Sequence, residues 1–137
     1  VAAHECGHAI QHATGYKPLE LRSKLVPMVS FSSKYAIIFI IGGIVLIQSS
    51  RFQNMEWVFW VGIGMIAISA IFSLVTLPVE YNASKRAMAW LGDERILNSA
   101  QLSQANEALT WAARTYVVAA ASAVVTLLYY LSFARQN

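Results

Sequence analysis

The chain has 137 residues, of which 57% are apolar and only 12% charged, with a formal net charge of +3. Soluble chains average roughly 45–50% apolar and about 25% charged residues, so this composition points to a bilayer environment. The single cysteine excludes an internal disulfide framework, and the absence of any repeat, Gly-rich phosphate loop or basic nucleic-acid motif sets aside nucleotide and nucleic-acid binding.

The chain opens VAAHECGHAIQH. Residues 1–15 read as a helix, on which His4 and His8 lie one turn apart on the same face and can converge on one zinc ion. Glu5 is rotated about 100° from His4 and can reach a water on that metal without ligating it. This is the pattern H-E-x-x-H, in which zinc lowers the pKa of its water towards roughly 7, the glutamate takes the proton and the hydroxide attacks a peptide carbonyl. Gly7 lacks a side chain and invites another segment to approach the helix closely. His12 continues the stripe, but a rise of 1.5 Å per residue puts its backbone about 12 Å from that of His4, which suits packing or support of the site better than ligation. Cys6 points off the histidine face and reads as a small buried apolar residue. Because the chain starts at Val1 and the motif lies within a turn of that end, the sequence reads as the C-terminal fragment of a longer protein, forming a single domain.

Gly15 and Pro18 are expected to end the motif helix. Residues 19–28 then offer a possible extended edge for a peptide. Residues 35–47, YAIIFIIGGIVLI, are short for a span, so a transmembrane helix at 35–50 needs extension towards Leu25, with Lys34 snorkelling. Residues 57–79 carry no charge and satisfy the roughly 20 residues that a spanning helix needs. Residues 80–114 form a polar segment: a helix over 80–91, a break at Gly92, Asp93 and Glu94, and a capping box at Asn98 and Gln101 leading into a last span at 115–134. Trp57, Trp60 and Trp111 read as interface anchors, as do Tyr116, Tyr129 and Tyr130. Gly42, Gly43, Gly62 and Gly64 read as aids to helix packing in lipid. The fold expected is an all-α integral membrane bundle with the H-E-x-x-H helix packed near the membrane interface.

A catalytic zinc needs a third protein ligand. Glu20, Glu56, Glu80, Asp93, Glu94 and Glu107 are the candidates. Glu80 stands out because it follows the uncharged run directly and has Ala83, Ser84, Ala87 and Leu91 behind it at helical spacing, small enough overall to admit the Gly7 helix. The competing reading is a glutamate that caps a helix N-terminus at the interface. Topology adds a constraint: the 35–50 and 57–79 runs must both cross for His4, Glu5, His8 and Glu80 to share a side. Lys17, Arg22, Lys24, Lys34, Lys85, Arg86, Arg95 and Arg114 then fall on the site's face and Arg51 and Arg135 on the other, which places the site in the cytoplasm and the protein in the cell membrane.

HECGHAIQ, then GYKPLELRSKLVP, then LPVEYNASKRAMAWL and a closing apolar helix resemble the YugP-like membrane-bound neutral zinc metallopeptidases across essentially the whole chain. The resemblance implies zinc held by His4, His8 and Glu80, and Glu5 as catalytic base. It also implies a missing N-terminal portion with a first membrane helix. A more distant similarity is to the HtpX-like and prenyl-protein-processing peptidases, whose third-ligand motif is E-x-x-A-D. Ser84 stands where that aspartate would be, so support of the site from this position is expected to be weaker.

The function expected is a zinc-dependent membrane endopeptidase acting on peptides or membrane-protein segments near the bilayer. A hydrolase of non-peptide amides fits the same residues less well. A zinc-holding scaffold or chaperone is the alternative from another class, and Glu5 discriminates against it, since a structural site needs no proton acceptor. A transporter with a chance motif finds no ionisable residue in the 57–79 or 115–134 spans to mark an ion path. The sequence does not specify the oligomeric state.

Overall fold

The computed structural model describes residues 1–49 and 53–136. They form four α-helices, α1 (Ala2–Ala13), α2 (Lys17–Gln48), α3 (Trp57–Asp93) and α4 (Ser99–Gln136), with a 3₁₀ turn at Gln53–Met55. No strand occurs among the described residues, so the all-α expectation holds. Arg51, counted above on the far side of the membrane, lies outside the described residues.

The long helices have 32, 37 and 38 residues. At 1.5 Å per residue they measure roughly 48, 55 and 57 Å, well beyond the roughly 30 Å of a hydrocarbon core. All three are long and apolar enough to cross a membrane, with mean hydropathies of 1.9, 2.3 and 2.0 over their most apolar windows. Large apolar side chains such as Ile38, Ile41, Val45, Ile71, Val118 and Val125 are exposed on them, as a lipid-facing surface requires.

Two open readings give way to continuous helix. Residues 19–28 are not extended but belong to α2, which runs through Pro27, and no free edge exists there. Glu80 does not begin a helix but sits inside α3, which runs through Pro78, so the helix-capping reading of Glu80 is excluded. Proline removes one backbone bond and normally breaks a helix, but in apolar helices the freed carbonyl is accommodated locally and the helix continues.

The helix ends follow local chemistry. After α1, Gly15 adopts φ 62°, its N–H bonds to the His12 carbonyl, and the Tyr16 N–H bonds to the Gln11 carbonyl. This paired closure needs a left-handed residue, which glycine supplies without strain. Before α4, the Gln101 N–H donates to Asn98 Oδ1 at 2.8 Å and the Asn98 N–H donates to Gln101 Oε1 at 3.1 Å, forming the expected capping box.

The chain divides into two compact units. One comprises Val1–Ser23 and Leu74–Ala120. Its interior is the α3 stripe Val79, Glu80, Ala83, Ala87 and Leu91, with Ala113 and Ala120 from α4. The other comprises Lys24–Ser73 and Ala121–Asn137 and centres on Ile40, Phe59 and Ile63, packed by Ile44, Ile47, Leu127 and Tyr130 among others. Gly43 lies against the Phe59 backbone and Gly62 against Ile40, whereas Gly42 and Gly64 touch nothing that a Cβ would meet. Close helix packing thus uses one glycine of each expected pair.

Candidate metal centre

The first unit brings the N-terminal motif to the middle of α3 through its smallest residues. A Cβ on Gly7 would collide with the Ala83 carbonyl oxygen and stand 2.8 Å from its carbon. Ala83 and Ala87 are both fully buried. With no side chain between the backbones, His4 and His8, on either side of Gly7 along the helix, are carried onto Glu80, one turn before Ala83.

Glu80 is 1% exposed. Its Oε2 lies 2.9 Å from His4 Nε2 and 3.5 Å from His8 Nε2, while Arg22 Nη1, reaching in from the start of α2, lies 3.4 Å from Oε1. A carboxylate taken out of water needs compensating charge and hydrogen bonds, and Arg22 supplies one positive partner. One donor atom each from His4, His8 and Glu80 fall within 4.8 Å of one another, and the two imidazole rings meet edge to face with centroids 4.7 Å apart. Two imidazole nitrogens and one carboxylate oxygen form a donor set that suits a catalytic zinc. These residues could hold one.

Other expected residues fall elsewhere. Glu20, Glu56, Asp93, Glu94 and Glu107 are exposed, and among the described residues none of them joins the cluster. His12 is exposed rather than packed; it lines an open cleft with Glu5, His8, Leu19 and Arg22. Glu5 is exposed on that cleft, the position from which a base can meet an incoming substrate. Cys6 is free but only half-buried, not the core residue expected. Ser84 Oγ lies 3.3 Å from His4 Nδ1, a long contact.

Three neighbours escaped the sequence reading. Arg22 looked like one of several juxtamembrane cations, and Tyr116 like an interface anchor, yet the Tyr116 side chain faces the Glu80 carboxylate. Gln11 is completely buried beside His8; an uncharged amide carries no motif signal, and only its place on the His4/His8 stripe hinted at the site.

The family described as "Putative neutral zinc metallopeptidase" matches residues 1–135. The chain belongs to this family. It is also 38% identical over 133 residues to the "Putative membrane protease YugP" of Bacillus subtilis (strain 168), an alignment covering 96% of the chain and 55% of the relative. The chain therefore spans about half the length of the curated relative it matches. No solved structure matches. Family membership supports a peptidase that uses zinc, and three candidate spans together with a relative named as a membrane protease support a membrane protein.

Proposed function

We propose that the chain carries the active site of a zinc-dependent endopeptidase embedded in the membrane, with His4, His8 and Glu80 as metal ligands and Glu5 as general base. The observation that carries this reading is the buried Glu80 carboxylate with the Nε2 atoms of both histidines turned towards one of its oxygens. When bound, zinc would polarise the scissile carbonyl and bring the pKa of the attacking water towards roughly 7. Glu5, at the cleft, takes the proton from that water and returns it to the leaving amine. Arg22 holds the second Glu80 oxygen and so fixes the carboxylate's orientation.

Substrates are peptides or membrane-protein segments presented at the bilayer surface, because Glu80 follows the uncharged stretch 57–79 within the same helix. The concentration of Lys17, Arg22, Lys24, Lys85, Arg86, Arg95 and Arg114 around the site's segments favours the cytoplasmic face of the cell membrane.

The test is casein-type proteolysis by the full-length, detergent-purified protein, wild type against Glu5→Gln, with zinc content measured on both. One zinc per chain in each, with activity reduced by about 10²-fold or more in the variant, is the expected result. Undiminished proteolysis in Glu5→Gln would overturn the assignment of the base, and zinc without proteolysis in any form would favour a scaffold.

A further inference from the structure

The two histidines are held by different kinds of partner, and the difference reaches the atoms that face Glu80. Gln11 is fully buried one turn after His8. Its amide nitrogen lies 2.8 Å from the Val79 carbonyl oxygen and 3.0 Å from Asn82 Oδ1, and its Oε1 lies 2.9 Å from His8 Nδ1. A peptide carbonyl only accepts, so the group facing Val79 must be the NH₂. Flipping the amide would set two oxygens against each other in a buried position. Asn82 is fixed in the same sense, because its Oδ1 also accepts from Arg86 Nε at 2.7 Å, and Arg86 Nη1 in turn donates to Thr14 Oγ1 at 3.1 Å.

With its nitrogen committed twice, Gln11 can offer His8 only an acceptor. His8 Nδ1 must then carry the proton, and in the neutral ring Nε2 bears a lone pair. That lone pair faces the Glu80 carboxylate oxygen 3.5 Å away. His4 is set differently: its Nε2 lies 2.9 Å from a Glu80 oxygen that can only accept, so here that nitrogen donates, while its Nδ1 meets the Ser84 hydroxyl, which can rotate from donating to accepting when the His4 proton moves.

We propose that Gln11 is a positioning residue which locks His8 in the Nδ1–H tautomer, aiming its Nε2 lone pair at the metal position before any metal arrives. This rests on the peptidase reading above. The selection is made by a backbone carbonyl and an asparagine of α3, so the same packing that brings Glu80 to the histidines also prepares one of them as a ligand. His8 is thus the preformed ligand and His4 the adjustable one. Partners that fix a ligating histidine in this way typically contribute 10–100-fold in metal affinity.

The test uses metal-free, ¹⁵N-histidine-labelled full-length protein in detergent micelles, whose His4, His8 and His12 signals are assigned by single substitution. The wild-type spectrum should show His8 as the Nδ1–H tautomer, a readout that needs no other variant to fold. Gln11→Leu should make His8 a mixture of tautomers without altering the His12 signal, and should lower zinc affinity about 10–100-fold in competition with a chromophoric chelator. Asn82→Ala removes only one of the two acceptors that orient the amide, so it should leave His8 as Nδ1–H. A wild-type His8 protonated at Nε2, or a helical Gln11→Leu protein with unchanged zinc affinity, would overturn the proposal while leaving the peptidase reading intact. Failure of the wild type to bind zinc would overturn both.

Discussion

Gly7→Ala pits two effects of known size against each other. Alanine in place of a helical glycine favours α1 by about 1 kcal/mol. The added methyl, however, would stand 2.8 Å from the Ala83 carbonyl carbon and closer still to its oxygen, where ordinary contact begins at about 3.5 Å. Neither α1 nor α3 can yield at that point by rotating a side chain, so the helices must separate by roughly 1 Å, with an overpacking cost of about 1–3 kcal/mol. Net stability therefore falls by no more than about 2 kcal/mol and the protein still folds. The site is far less tolerant, because zinc ligand distances hold within about 0.2 Å, and His4 and His8 move with α1 while Glu80 stays with α3. We expect zinc affinity, measured by chelator competition on the full-length protein, to fall at least tenfold, while circular dichroism shows unchanged helix content. Gly92→Ala, where an added Cβ meets nothing, is the control and should bind zinc as the wild type does. Wild-type affinity in a folded Gly7→Ala protein would refute the claim that contact between α1 and α3 backbones sets the ligand spacing.

Other substitutions separate the site from its scaffold. Ser84→Asp places a carboxylate where His4 Nδ1 now has a 3.3 Å hydroxyl contact; it should raise zinc affinity by about tenfold, and no change on chelator titration would show that Ser84 does not support His4. Asn98→Ala removes the α4 cap and should cost about 1 kcal/mol, seen as a melting temperature roughly 2–4 °C lower with zinc affinity unaltered.

Much of the candidate site was legible because its residues are periodic. His4 and His8 lie one turn apart with Glu5 beside the first, and Glu80 was marked by its place after an uncharged run and by the small residues behind it. The capping box at Asn98 and Gln101 was legible for the same reason: both partners are local. What the sequence obscured depended on long-range context. The unbroken α2 and α3 were not legible: they pass through Pro27 and Pro78, because an apolar helix has no water to compete for its backbone and resists breaking. Arg22 and Tyr116 acquire meaning only from a carboxylate distant in the chain, and Gln11 only from Val79 and Asn82. His12 illustrates the opposite error: it follows the stripe of His4 and His8, but it lines the open cleft and stays exposed.

The most direct measurement is zinc stoichiometry and affinity of the full-length protein with Glu80 intact and with Glu80→Ala. The account predicts one tightly held zinc per wild-type chain, and a loss of at least two orders of magnitude in affinity without Glu80, since one of three ligands and the only carboxylate among them is gone. Equal affinity in the two proteins would contradict it, because the metal would then be held without the carboxylate on which the whole site converges.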